Sequence, residues 1–284
     1  MHLYVNDDYT AARHDFDTTR KAGHIVESLA ERPVLEVELC DPSGAYERTR
    51  EAIAAVHDAE YVDAVESGSP RSLAESQGFG WDPGIATMAV AHNAGVVAAV
   101  TDALATGEVT GTLSSGLHHA AADSGSGFCT FNGLAVAAHV AAAQGARVLV
   151  LDFDAHCGGG TSSLLPASAH QVDVSVSGFD RYVAGDRRWL RLVDADEHDE
   201  AIIEALEHCD TLGAFDIVLY NAGMDPANCG VSIEQLAWRE QLVAEHDFGC
   251  PLAFTIAGGY TWGKGMDEVV DLHRLTIEAF AWAA

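Results

Sequence analysis

The chain has 284 residues, 48% of them hydrophobic, and a formal net charge of −28, with Lys21 and Lys264 as its lysines. That apolar share and length allow a substantial core and exclude a disordered chain. The charge repels nucleic-acid phosphates and anionic membranes and attracts cationic small molecules or basic tails; an acidic proteome would give the same charge without any tuning to substrate.

The longest apolar stretches, such as 133–146, are Ala-rich and interrupted by polar residues. They fall short of the run of about 20 apolar residues that a membrane span needs. The start, MHLYVNDDYTAARHDFD, has neither a basic nor an apolar leader region. No signal peptide is expected, and a cytoplasmic location is. Cys40, Cys129, Cys157, Cys209, Cys229 and Cys250 form no CxxC pair, which argues against a zinc ribbon. They are expected to be reduced and mostly buried.

In chain order, VLEVELC (34–40) reads as a strand and 46–56 as a helix. The segment 67–84 is the most loop-like, and loops of that length are often functional. A helix follows over about 85–104, then a short strand at 110–114 and a helix at 133–144 closed by Gly145. RVLVLDF (147–153), QVDVSVS (171–177), DIVLYNA (216–222) and LAFTIAG (252–258) read as strands, with helices near 197–211, 232–246 and 265–282. Continuous apolar runs indicate strands buried on both faces, and their alternation with helices indicates an α/β protein with a parallel sheet. The alternation runs the whole length, so one domain over 1–284 is expected.

Ligands of open α/β sheets bind beyond the strands' C-terminal ends. RVLVLDF runs into Asp154 and His156, DIVLYNA into Asp225, and LAFTIAG into Tyr260, while His118 and His119 follow the short strand at 110–114. In extended chain, residues two apart point to the same side, so Asp154 and His156 can grip one ion and Asp225 can complete the set. Three protein ligands leave a position for water and substrate, as hydrolytic metal sites require. The chain has no HExxH helix, no G-x-S-x-G elbow, no Gly-Lys-Ser/Thr phosphate loop and no GxGxxG after its first strand.

Several segments resemble the histone deacetylase and acetylpolyamine amidohydrolase family, which shares its fold with arginase. They are HDFDTTRKAGHI (14–25), VHDAEYVDAV (56–65), GFGWDP (78–83), SGLHHA (115–120), SGFCTFNG (126–133), LDFDAHCGGGT (151–161), NAGMDP (221–226) and AGGY (257–260). The resemblance implies a three-layer arginase/deacetylase fold, with a mostly parallel sheet of about eight strands between helices. It implies zinc, or iron(II), on Asp154, His156 and Asp225. His118 and His119 would be general base and acid, and Asp152 would orient His118. Tyr260 would stabilise the oxyanion. Phe128 would wall the substrate channel, the Gly127 carbonyl would accept the substrate N–H, and Asp82 would contact substrate beyond the amine. A potassium ion would sit near Asp152, Asp154, His156, Ser175 and Val176.

The chain departs from the family pattern at several positions. Gly116-Leu117 replaces Pro-Gly before the histidines, Gly133 replaces the second Asn of F-N-N, Cys157 follows the ligand His, and Ala257 replaces a Glu. Gly159 stands where the family carries the partner of the second histidine, so His119 is expected to lack one. The chain is short for the family, and a shallower or wider entrance is expected. Arginase-type sites need an Asp two residues after the ligand His, and this position is Gly158, which favours a single ion. The expected activity is therefore removal of an acetyl group from acetyl-lysine, an acetylpolyamine or a small N-acetyl metabolite. A homologue that binds acyl-amines without turnover and a ureohydrolase-like enzyme are the alternatives. No nucleic-acid or membrane partner is expected, and no oligomeric state is read.

Overall fold

A computed structural model describes residues 1–13 and 16–283. His14 and Asp15, the start of the first family-like segment, lie outside the described residues. In chain order the elements are β1 (His2–Tyr4), α1 (Asp17–Glu31), β2 (Glu38–Cys40), α2 (Tyr46–Val56), α3 (Ala59–Ser67), α4 (Arg71–Ala74), α5 (Gly84–Thr106) and β3 (Thr110–Thr112). They continue as α6 (Gly133–Ala142), β4 (Val148–Asp152), α7 (Gly159–Leu164), β5 (Ala169–Ser175), β6 (Arg188–Leu192), α8 (His198–Thr211), β7 (Ile217–Gly223), α9 (Ile233–Glu245), β8 (Leu252–Ala257) and α10 (Met266–Ala283). Among the described residues, eight strands form one parallel sheet in the order β2-β1-β3-β8-β7-β4-β5-β6. The α/β three-layer reading is thus met, with the middle strands β3, β8, β7 and β4 side by side.

Alternation along the buried strands builds the two cores. In β4, Val148 and Val150 join a cluster with residues of α2, α5 and α6, whereas Leu149 and Leu151 join one with residues of α1, α8, α9 and α10. The same split separates Ile217 and Leu219 from Val218 and Tyr220 in β7. This double burial explains why these strands read as unbroken apolar runs. Helix α5 is apolar around its circumference because it is wrapped by the sheet, α2 and α6. By length and composition it could cross a membrane, but 72% of its apolar window is buried inside the fold.

The ends of the sheet depart from the sequence reading. The strand expected over 34–40 shrinks to Glu38–Cys40, because Glu36 takes a left-handed backbone (φ 69°) that interrupts extended chain. Both β1 and β6 lack the apolar run that marks an interior strand. β6, Arg-Trp-Leu-Arg-Leu, is half-exposed at the sheet edge, where charged residues discourage further pairing.

Candidate active site

The C-terminal ends of the middle strands converge on one cleft lined by His118, His119, Gly127, Phe128, Asp154, His156, Asp225 and Tyr260. Beyond β4, His156 N donates to Asp154 Oδ1 at 3.0 Å, folding the chain so that both side chains face the same point. Ala155 N donates to Asp225 Oδ1 at 3.2 Å and ties the end of β7 to that of β4. His156 Nδ1 then lies 3.3 Å from Asp154 Oδ1 and 3.0 Å from Asp225 Oδ2. Ligand atoms about 2.0–2.2 Å from a tetrahedral ion are about 3.3 Å apart, so the set fits one metal ion. Among the described residues, Asp154, His156 and Asp225 form the group of acidic, His or Cys side chains able to hold a metal.

The charges in this cluster support the same reading. Burial pulls His156 down, but Asp154 and Asp225 outweigh it and raise its pKa to about 11. Burial and the neighbouring Asp154 push Asp225 up to about 6. Burial also acts to raise Asp154, yet His118 and His156 hold it well below the carboxylate range.

His118 Nδ1 donates to Asp152 Oδ2 at 2.8 Å, and its Nε2 lies 3.1 Å from His119 Nε2. Asp152 is held in turn by Asn221, whose Nδ2 donates to Asp152 Oδ1 at 2.7 Å and whose Oδ1 accepts from Thr255 at 2.9 Å. Two nitrogens that close must share a proton. Burial depresses His118, but Asp152 and Asp154 raise it to about 10, while burial and the charged His118 push His119 down to about 4.

The expectation that His119 lacks a partner is wrong. Its Nδ1 donates to Asp180 Oδ2 at 2.9 Å, a residue 61 positions along the chain. No sequence pattern pointed to Asp180, which belongs to the loop beyond β5. Phe179, from the same loop, was missed for the same reason. It meets the His119 ring edge-to-face at 4.8 Å and the His156 ring at 5.8 Å, and it is 48% exposed at the rim.

The opposite wall is aromatic. Phe128 takes a left-handed backbone (φ 65°), donates its N–H to Gln77 O at 2.8 Å, and packs on Phe16, Phe79 and Tyr260. Gly127 precedes it at φ 50°, and a Cβ there would sit 2.4 Å from His119 Cδ2. Leu117 is also left-handed (φ 58°) and lines the cleft, a strain of about 1–2 kcal/mol that the surrounding structure absorbs. His57 and Tyr61 act as scaffold: His57 Nε2 accepts from Asn132 N at 3.0 Å, and Tyr61 Oη donates to Thr130 O at 2.6 Å. Both bonds fix the 126–133 loop.

Burial and the negative Asp225 and Asp154 raise the Tyr260 hydroxyl far above its ordinary pKa, so it remains a donor. The turn before it is pinned by buried Lys21, whose Nζ donates to Gly258 O at 2.8 Å. Burial drives that ammonium down to about 7. Asp82 is not brought to the cleft lining; its Oδ1 accepts from Gly84 N at 2.7 Å at the start of α5. Ser175 ends β5 with its Oγ buried and without a hydrogen-bond partner, and Val176 N donates to Ala155 O at 3.0 Å.

A family model described as the histone deacetylase domain matches residues 14–182. The chain belongs to this family. The matched range ends before Asp225 and Tyr260, which the fold brings to the cleft. An uncharacterised protein of Picosynechococcus sp. is 30% identical over 243 residues, 78% of each chain. Histone deacetylase 15 of Arabidopsis thaliana is 33% identical over 145 residues, 48% of this chain and 26% of that protein. The acetoin utilization protein AcuC of Staphylococcus aureus is 30% identical over 139 residues, 45% of this chain and 36% of that one. Among solved structures, the acetylpolyamine aminohydrolase of Burkholderia pseudomallei aligns over 99% of this chain and 98% of its own, with a TM-score of 0.74 at 20% identity. The HDA15 HD domain aligns over 99% and 90%, with a TM-score of 0.75 at 19% identity. At those identities the structural likeness shows the fold.

Proposed function

We propose that this chain is a single-domain, metal-dependent deacetylase that hydrolyses the amide of an N-acetylated amine. The observation that carries this reading is the convergence of Asp154, His156 and Asp225 beside the His118–His119 pair and Tyr260. Zinc suits the spacing of that set, and its oxygen-rich character also admits iron(II). A bound divalent ion supplies Lewis-acid chemistry, polarising the amide carbonyl and lowering the pKa of water. The buried, unpartnered Ser175 Oγ fits a potassium ion near Asp152, Asp154, His156 and Val176.

The protein's own groups divide the remaining work. Asp152 fixes the His118 ring, so that Nε2 faces the cleft as general base. His119 Nε2, 3.1 Å away, is placed to receive the proton that His118 takes up as base and to pass it to the leaving amine as general acid. Tyr260 donates its hydroxyl to the carbonyl oxygen as negative charge develops there. Phe128 and Phe179 grip the carbon chain, and Gly127 O accepts the substrate N–H. His156 is the ligand nearest solvent, with 26% of its side chain exposed, which agrees with a shallow entrance. The cysteines are all free, which fits a reducing cytoplasm. The reading as a binding protein rested on an unpaired His119, and Asp180 removes that motive.

The test is acetate release by zinc-reconstituted protein from an acetyl-lysine peptide, an acetylpolyamine and a small N-acetyl metabolite, with His156→Ala alongside. Turnover of any of these, lost in the variant, is expected. Folded, zinc-loaded protein that releases no acetate from the whole panel would overturn the proposal.

A further inference from the structure

We propose that Asp180 is the positioning carboxylate of His119, delivered from the loop after β5 into the space that a side chain at Gly159 would otherwise fill. This rests on the reading of His119 as an acid–base group. The geometry is direct: Asp180 Oδ2 lies 2.9 Å from His119 Nδ1 and accepts from Gly160 N at 3.0 Å. A carboxylate that accepts from a backbone N–H beside the ring is fixed in place, and it fixes the ring in turn. An ionised carboxylate can only accept, so Nδ1 of His119 must carry a proton and Nε2 must face His118 and the cleft.

The vacancy at position 159 and the presence of Asp180 are complementary. A Cβ built on Gly159 would lie 2.3 Å from the Asp180 carbonyl oxygen and 2.4 Å from its Oδ1. A side chain at position 159 is excluded by the Asp180 backbone as well as by its carboxylate. Asp180 also holds a left-handed conformation, φ 56°, which costs an L-residue about 1 kcal/mol and persists where the surroundings demand it. The preceding Phe179 meets the rings of His119 and His156 in near-perpendicular, edge-to-face contacts. The short loop beyond β5 therefore contributes a wall and a carboxylate together. Among the described residues, the other titratable groups facing His119 include His118 at 3.1 Å, the His156 ring at 5.8 Å, Asp154, and Cys129 on its backbone side. None of them meets Nδ1.

Two readouts on the zinc-loaded full chain test this. In protein labelled with ¹⁵N-histidine, His119 is expected to show a downfield Nδ1–H resonance, identified by its absence from His119→Gln. It should be lost in Asp180→Ala and retained at a shifted position in Asp180→Asn, whose side-chain oxygen can still accept. In kinetics, Asp180→Ala should lower kcat about 10- to 100-fold with KM within about twofold, and Asp180→Asn should fall between it and the parent. An unchanged Nδ1–H resonance in Asp180→Ala, or an undiminished kcat, would overturn the assignment. The resonance needs no turnover: if it behaves as expected while the parent protein hydrolyses no N-acetyl amine, the pairing stands and the deacetylase reading fails. Should Asp180→Ala not fold, Asp180→Asn carries the test through its intermediate kcat and shifted resonance, and parental values of both would overturn the assignment.

Discussion

Arg239 on α9 is fully buried and forks onto the two strand ends that carry the candidate metal ligands. Its Nη1 donates to Phe153 O and its Nη2 to Gly223 O, each at 2.8 Å. Phe153 immediately precedes Asp154, and Gly223 is followed by Met224 and Asp225. The guanidinium is neutralised by Glu240, also fully buried, which accepts from Arg239 Nε at 2.8 Å and from the Tyr220 hydroxyl at 2.7 Å. Arg239→Met removes the donors to two carbonyls and strands the Glu240 charge. Breaking a buried pair in this way costs about 3–5 kcal/mol. Loss of the clamp should also weaken zinc binding about tenfold or more, since supports behind a metal site typically act on that scale. Urea unfolding of the metal-free chain and zinc competition against a chelator measure the two effects separately. The double variant Arg239→Met/Glu240→Leu should recover most of the stability, because no charge is stranded, while zinc affinity stays low. If zinc affinity is unchanged in both variants, the fork is a core ion pair and does not position the ligands.

Acid should destabilise the fold through histidines far from the metal set. Burial holds His57 and His92 down at about 4, below the ordinary 6.5, so their contribution is present above pH 6.5 and is lost as pH falls toward 4. Each should cost about 2 kcal/mol at pH 5. Urea midpoints at pH 7.5 and pH 5 measure the loss, and His57→Gln should flatten the dependence; equal midpoints would refute it. Tyr260→Phe should lower kcat about 100- to 1,000-fold with zinc content unchanged, and a loss under fivefold would remove the oxyanion role.

The middle of the molecule was legible in the sequence because its signals are local. Strands β4, β7 and β8 are buried on both faces and therefore read as apolar runs, and the residues just past them fall at the site by the geometry of a parallel sheet. What the sequence hid depends on distant contacts. Asp180 acts through a hydrogen bond to a residue 61 positions away, and nothing in Gly-Phe-Asp-Arg announces that bond. Arg239 sits in the helix read near 232–246, and its burial follows from the two carbonyls it meets. Asp82 is a motif-like position whose Oδ1 accepts from the backbone at the start of α5.

Packing as well as a missing ligand bears on the choice between one ion and two. The reading of Gly158 as an absent second-metal ligand predicts that Gly158→Asp would move the site toward a ureohydrolase. The surroundings predict otherwise. A Cβ on Gly158 would lie 2.7 Å from Asp152 Oδ2, 2.8 Å from Gln171 Nε2 and 3.3 Å from Asp173 Oδ2, which is the interior behind β4 and β5. That interior is already committed, because Gly158 N donates to Asp173 Oδ2 and Gln171 Nε2 donates to Gly158 O, each at 3.0 Å. Burial and the nearby Asp152 raise Asp173 well above the carboxylate range, so a third carboxylate meets both steric and like-charge resistance. Gly158→Ala should cost about 1–3 kcal/mol from overpacking alone, and Gly158→Asp more. Zinc bound per chain after dialysis, measured by elemental mass spectrometry, should remain near one in the parent and in any folded variant. Two ions per chain in Gly158→Asp would show that the new carboxylate reaches the cleft, and that the single-ion site depends on the ligand set alone.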